Sequence, residues 1–441
     1  MRKFFSTKFL LIFILLTGTN LQSQQFKFAF VVNNLAESLT KIDLLNNIVY
    51  SDEITLGLVP NKITLRGNSA YVVNSISANI YVIDLEKFEI AETIDVGEGE
   101  NPWDIAILND DSAYVSNFQT SSVSLVSLSE NKVLKKIDVG LSPEGLLIHG
   151  NKLFVCNTGF NPETFEFDAG TVSIIDVGTN MITSSLPAGI NPQYMAVDGQ
   201  GLIHIVSTGN YADKEGVIYI LDPDEEVVLD SIPIGGFPGS IAIAGDSMGY
   251  LGAGGWGDEG FVFSYNTITR TVLRGPYNPI IIGPGVTGIS VDKDNNVYAC
   301  NFNKDTITKI SPDLSVEQIY KVNQGPIDLA IWEGGEPSEA FSEKIYTLKG
   351  YKLNQNYPNP FNDETLISFY LPEESKISLK IYNLSGKLVK TIVPGDFKSP
   401  GNYTVTWNGT SDAGVKVSSG IYFVQLAAPE LTLQRKIAVL K

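Results

Sequence analysis

SAYVVNSISANIYVIDLEKFEIAETIDVGEGENPWDIAI, residues 69–107, holds four short runs in which apolar side chains recur at every second position: AYVV, IYVID, AETIDV and WDIAI. Each run stops at Gly, Pro, Asn or Asp, the residues that punctuate extended segments. Alternation of period two over about five residues signals a half-buried β-strand and argues against an amphipathic helix. Four such strands in roughly 40–45 residues make one blade of a β-propeller. The stretch therefore predicts an all-β repeat.

The unit recurs. Its second strand reappears as FAFVVN (28–33), AYVVN (70–74), AYVSN (113–117), LFVCN (153–157), IHIVS (203–207), GYLGA (249–253) and VYACN (297–301). A third strand follows each, from LTKIDL and IYVIDL to ITKISP, and the fourth often closes on Val-Gly. A Pro-led strand comes next: PNKITL, PWDIAI, PEGLLI, PQYMAV, PGSIAI, a degenerate VTGISV, and PIDLAI at 326–331. Seven second strands and seven Pro-led strands leave no remainder, so the expected fold is a seven-bladed propeller. Its first three strands (26–57) and its last (327–331) should share one blade, because pairing the two ends removes exposed sheet edges.

In spacing, these repeats resemble the YVTN family of β-propeller repeats, a resemblance covering residues 26–332, although Val73, Ser116 or Cys156 stands where that family has Thr. The resemblance implies an extracytoplasmic, surface-layer-like propeller. Its members share a scaffold more than a chemistry, so it bears on fold far more than on function.

Charge narrows the partners. The formal charge is −18, and without Arg2, Lys3 and Lys8 of an expected leader it is about −21. From Asn356 onward nine Lys/Arg face seven Asp/Glu, so the rest of the mature chain carries about −23. Such a surface repels nucleic-acid phosphates and anionic lipid. Residues 1–23 have a basic end, an apolar core at Phe9–Leu16 and a polar, turn-prone TGTNLQS, the pattern of a secretory signal peptide cleaved near Ser23. The apolar run is too short to span a bilayer, and no Cys near its end offers a lipid anchor. The expectation is export, with no transmembrane segment in the mature chain.

After the propeller (24–332), residues 333–355 lapse into Gly, Pro, Ser and charge, as in a linker. Alternation returns over 356–441 in ETLISFYL, KISLKIYNLSGKLVKTIV, GNYTVTWNG, SSGIYFVQL and LQRKIAVLK, which predicts a small Ig-like β-sandwich. Tyr357-Pro358-Asn359-Pro360-Phe361, IYNLSGKLV (381–389), Trp407-Asn408-Gly409, Gly414 and SGIYF (419–423) resemble the type A sorting domain of the type IX secretion system. That resemblance implies passage across an outer membrane, with the secretion machinery as partner and the cell surface or medium as destination.

No catalytic constellation stands out. Two histidines on different blades, with no H-E-x-x-H and no Cys cluster, make no zinc site, and no G-x-S-x-G elbow is present. His204 takes a repeat position held elsewhere by Tyr71, Tyr114 and Tyr250 and reads as scaffold, and His149 reads as a turn residue. Cys156 and Cys300 share one repeat position three blades apart and should not pair. Asp292, Asp294 and Asn295 read as a solvated turn in preference to a calcium site. No cofactor is expected.

The better signal lies where the repeat is broken. The loop between second and third strands expands to 158–170, 208–216 and 254–260 in blades 4, 5 and 6, bringing Phe165, Tyr211, Trp256 and Asp258 to one face. Aromatic rings beside carboxylates on adjacent loops suit recognition. The residues just after each proline should circle the channel mouth on the same face: Asn61, Lys62, Trp103, Asp104, Glu144, Gln193, Tyr194, Ser240, Thr287 and Asp328. The expected function is non-enzymatic binding of a protein or glycan through the loops. The alternative is a small ligand such as a corrinoid held by Trp103, Tyr194 and Asp328. An enzyme using Asp104, Glu144 and Asp328 is the third reading.

Overall fold

The computed structural model describes residues 26–334 apart from 246, 255–259 and 284, and residues 352–439 apart from 355, 357, 373, 384–386 and 429–430. The leader and most of the linker lie outside these residues. The described residues form two compact units, divided between Pro337 and Ser338. Strands dominate both, the one helical element being a single 3-10 turn at Phe302–Lys304. No helix among the described residues is long and apolar enough to cross a membrane.

The first unit is a seven-bladed β-propeller of antiparallel sheets, four-stranded except in blade 6. The inner strands are Pro326–Gly334 (blade 1), Pro60–Arg66, Pro102–Ile107, Pro143–His149, Pro192–Val197, Pro238–Ile243 and Val286–Val291 (blade 7), each beside the inner strand of the next blade. His149, expected in a turn, is the last residue of its inner strand. The ring closes as the repeat count requires. Phe26–Asn33 pairs antiparallel with Pro326–Gly334, setting Phe28 opposite Trp332 and Phe30 opposite Ala330. Lys27 locks this seam, its ammonium 2.7 Å from Asp292 and Asp294 and 3.4 Å from Glu333. The VDKDNN turn is thus an anchor for a lysine.

Second strands are buried on both faces, not half-buried as their alternation suggests: Ile203–Ser207 and Val297–Asn301 have no exposed residue. Blades stack face to face, and the outermost strand is the most exposed of the four. In Glu89–Asp95 only Ile94 is buried. Asp84 ends its third strand by accepting the N–H groups of Glu86 and Lys87, each at 2.9 Å, and Asp43, Asp222 and Asn266 cap equivalent turns. Blade 6 departs from the pattern. Its fourth strand stops at Arg274, before Gly275-Pro276, and Ile280–Ile281 pairs in its stead with the third strand.

The Asn that ends most second strands is a buried staple. Asn117 Nδ2 donates to Ser122 and Ser124 Oγ, both at 2.9 Å, and Asn157 Nδ2 to Thr171 Oγ1 (3.0 Å) and Ser173 Oγ (2.9 Å). These residues also meet the connection arriving from the preceding blade. Asn74 Oδ1 accepts the Gly57 N–H at 3.1 Å, and a Cβ on Gly140 would lie 2.7 Å from Asn157 Cγ. That proximity explains the glycine after Val139. Blade 5 substitutes Ser207, whose hydroxyl donates to the Ala188 carbonyl of the same connection.

The second unit is an Ig-like sandwich. One sheet runs Lys352–Leu353, Thr365–Leu371 and Gly401–Trp407, and the other Leu388–Lys398, Ser375–Asn383, Gly420–Ala428 and Leu431–Val439. Alternating inward residues, among them Ile367, Phe369, Leu379, Ile381 and Val424, close on Trp407 and Phe361.

Asn157→Ala removes two buried hydrogen bonds and should lower propeller stability by about 2 kcal/mol. Gly140→Ala should destabilise the same joint by forcing a contact. Urea unfolding followed by tryptophan fluorescence checks both. Parent-like midpoints would show that neither the bonds within the blade nor the close approach at Gly140 matters to stability.

Candidate functional site

The mouth of the propeller is built by a backbone device repeated around the ring. The residue ahead of the inner strand is left-handed at Val59, Asn101, Ser142, Asn191, Gly285 and Gly325. A β-bulge follows at once, between Pro102 and Ile105, Pro143 and Leu146, Pro238 and Ile241, and at the equivalent places in the other blades. Bulges re-aim the side chains they carry. Here the second residue of each inner strand, from Asn61 and Trp103 through Glu144, Gln193 and Thr287 to Ile327, lines a mouth cavity of about 310 Å³. A second space of about 340 Å³ continues down the channel past Lys62, Asp104 and Ile241.

The charges are arranged in depth. Lys62 Nζ lies 3.3 Å from Asp328 Oδ2 and 5.8 Å from the centre of the Tyr194 ring. Asp328 Oδ2 also accepts the Ile63 N–H at 3.1 Å, while Asp104 Oδ2 accepts the Leu146 N–H at 2.9 Å. Each aspartate thus reaches the inner strand of the following blade and ties two blades together at the channel wall. Asp104 belongs to the deeper space and does not line the mouth cavity. Burial raises its carboxyl above the usual range against the pull of Lys62. Glu144 is pushed further, up to about 8, by burial and then by the nearby Asp104, with Gln193 opposing. Its Oε2 is buried without a hydrogen-bond partner. Burial also holds the Tyr194 hydroxyl far above its ordinary value.

Beside the cavity runs an unbroken arc of aromatic rings. Trp103 meets Phe118 at 5.5 Å between centroids, Phe118 meets Phe160 at 5.9 Å, and Phe160 meets Phe167 at 5.2 Å. Phe167 meets Tyr211 at 6.0 Å, and Tyr211 meets Phe237 at 5.7 Å. The blade 4 insertion forms a β-ribbon, Phe160–Asn161 against Glu166–Phe167, that stands this part of the arc up. Phe165 at its tip is 78% exposed and packs edge-on against Phe160. Such spacings suit offset or tilted ring contacts.

The structure therefore brings Trp103, Tyr194, Tyr211 and Asp328 together at the mouth cavity and sets Phe165 at the end of the arc. Trp256 and Asp258 lie outside the described residues. Sequence reasoning missed Phe118 and Phe237, which extend the surface from blades 4–6 to blades 3–6. Both are aromatic residues flanking a strand on the loop face, the only signal available for them.

Other residues singled out in the sequence belong to the scaffold. His204 is fully buried, with Nε2 3.1 Å from Asp198 Oδ2 and Nδ1 2.8 Å from the Tyr265 hydroxyl, and burial lowers its pKa. Cys156 and Cys300 are buried and free. Among the described residues no cluster of three or more His, Cys, Asp and Glu is placed to hold a metal ion.

Comparison with known proteins supports the two folds. Residues 354–430 match the FlgD Ig-like domain family. No curated protein matches the chain in sequence. Among solved structures, Kuenenia stuttgartiensis hydrazine synthase is similar with a TM-score of 0.53 and 14% identity, over 65% of this chain and 99% of that one. A functionally unknown protein from Desulfotomaculum acetoxidans has a TM-score of 0.55 and 15% identity, over 70% and 99% of the two chains. A quinonprotein alcohol dehydrogenase-like protein from Bacteroides thetaiotaomicron has a TM-score of 0.52 and 14% identity, over 70% and 78%. At such identities the likeness is one of fold.

Glu144 gives the free protein a measurable pH dependence. Its folded pKa, about 8, lies above the ordinary 4.5. The stability it contributes is complete below the unfolded value and is lost as pH rises through the folded one. The melting temperature of Glu144→Gln relative to the parent should therefore climb between pH 5 and pH 8.5. A flat difference across that range would place an ionised Glu144 in the folded protein.

Proposed function

We propose that this chain is an exported, non-catalytic binding protein whose propeller mouth and aromatic arc take up an uncharged glycan. The observation that carries the reading is the continuous run of rings from Trp103 to Phe237 along the edge of the mouth cavity, whose lining mixes apolar side chains with polar ones. Pyranose rings present flat C–H faces that stack on aromatic side chains, while Asn61, Gln193, Thr208 and Thr287 at the cavity offer partners for hydroxyl groups. A volume of about 310 Å³ takes one or two sugar rings, with further units laid along the arc. A corrin macrocycle exceeds this space and would have to rest across its rim, which makes the corrinoid reading the weaker one. The non-catalytic reading is favoured because Asp104 and Asp328 spend their carboxylates on backbone N–H groups of neighbouring blades.

The address rests on separate evidence. The leader-like residues 1–23, the acidic propeller and the sorting-domain resemblance of 356–441 all point outside the cell, and the repeats resemble extracytoplasmic YVTN propellers. On this reading the sandwich is a delivery signal read by the type IX secretion machinery.

Two experiments test these readings. Trp103→Ala combined with Phe167→Ala should weaken binding on a glycan array at least tenfold while leaving the circular dichroism spectrum unchanged. Unaltered binding removes the arc from the ligand site. Fusing residues 356–441 to a periplasmic reporter in a host with type IX secretion should carry the reporter to the surface or medium. A reporter that stays in the periplasm rules out the sorting role.

A further inference from the structure

Within that glycan reading, on which this inference rests, one side chain in the mouth is unaccounted for. Glu144 is 4% exposed, lines the cavity, and has Oε2 buried with no hydrogen-bond partner. A buried polar atom without a partner is costly unless something supplies one. Its backbone cannot swing away. Ser116 Oγ holds the Glu144 carbonyl at 2.6 Å, and the next residue is Gly145, where a Cβ would lie 2.3 Å from the Gln193 carbonyl oxygen. The backbone of Glu144 is thus fixed in the ring of mouth residues between those of Trp103 and Gln193.

We propose that Glu144 anchors an N-acetylated sugar, its carboxyl donating a hydrogen bond to the acetamido carbonyl while the acetyl methyl group packs on the Trp103 indole. A carbonyl oxygen only accepts, so it needs a donor, and a carboxylic acid is one whereas a carboxylate is not. Burial and Asp104 keep the Glu144 proton on to a pH of about 8. The other titratable groups around it are Asp104, Lys62, Asp328, Tyr194, Tyr211 and Cys156. Lys62, the two tyrosines and Cys156 are all raised above their ordinary alkaline values, so they keep their charge states below pH 9. Capture therefore takes up the Glu144 proton state as a requirement and fails when that proton leaves.

The test uses isothermal titration calorimetry with chitotetraose and cellotetraose, which share a β-1,4 backbone and differ at the acetamido group. The full mature chain should bind chitotetraose at pH 6 at least tenfold more tightly than cellotetraose, and lose at least tenfold in affinity at pH 9. Glu144→Gln keeps an N–H donor, so it should bind chitotetraose and lose the pH dependence, which also separates Glu144 from Asp104. Glu144→Ala should lose the preference over cellotetraose at both pH values. Equal affinity for the two sugars, pH-independent binding by the parent, or an unchanged preference in Glu144→Ala overturns this proposal while leaving the glycan reading intact, provided Trp103→Ala still weakens binding. If neither sugar binds, this proposal falls, and the glycan reading falls with it only if the glycan array also shows no binding that Trp103→Ala weakens.

Discussion

The propeller depends on the amide at the end of the second strand. A blade of four strands has its own ladder of hydrogen bonds, but the ring needs something to fix each blade against the segment that enters it. Asn74 does both, accepting from Gly57 of the incoming connection and donating to Asn79 in its own third strand. Asn301 donates to the Ile282 carbonyl of the connection from blade 6, and Ser207 performs the same service with a shorter side chain. Buried as they are, such bonds are expensive to break, because each broken one leaves an unsatisfied polar group in the interior. The glycines at positions 57 and 140 follow from this contact, since a larger residue at either would displace the amide of Asn74 or Asn157.

The site inherits its form from the same connections. A left-handed residue and a bulge flank the first residue of most inner strands and bring the chain into the channel at a fixed angle, so the residue that follows it faces the mouth whatever its type. That is why one scaffold can carry Trp103, Glu144, Gln193 and Thr287 at equivalent places. Val59 shows the limit of the device: a β-branched residue at φ 53° holds the left-handed corner where glycine or asparagine would sit with less strain.

Much of the architecture was legible because a repeat writes the same physics seven times. The number of blades, the mixed blade and the separate sandwich all follow from counting strands. Alternation misled only about burial, since periodicity reports which side chains share a face and not whether both faces are covered, as they are in Ile203–Ser207. The site was legible in part. Trp103, Tyr194 and Tyr211 could be placed because they hold repeat positions or sit in expanded loops. The bonds that engage Asp104 and Asp328 join backbones of different blades, a relation no single strand encodes. Nor does sequence show that Glu144 is buried, for that depends on neighbours brought together from several blades at once.

The closing seam has a consequence for the order of events in the life of the chain. Lys27 and its partner Asp294 are 267 residues apart, and the strand carrying Lys27 waits for Pro326–Gly334 before its second edge is covered. A chain emerging amino terminus first, from a ribosome or through a pore, exposes FKFAFVVN as an apolar open edge throughout the making of six further blades. Such an edge invites pairing with any other extended chain. The ring is thus a topological latch that engages last, and a chain cut short before residue 326 keeps the edge of Phe26–Asn33 without its native partner.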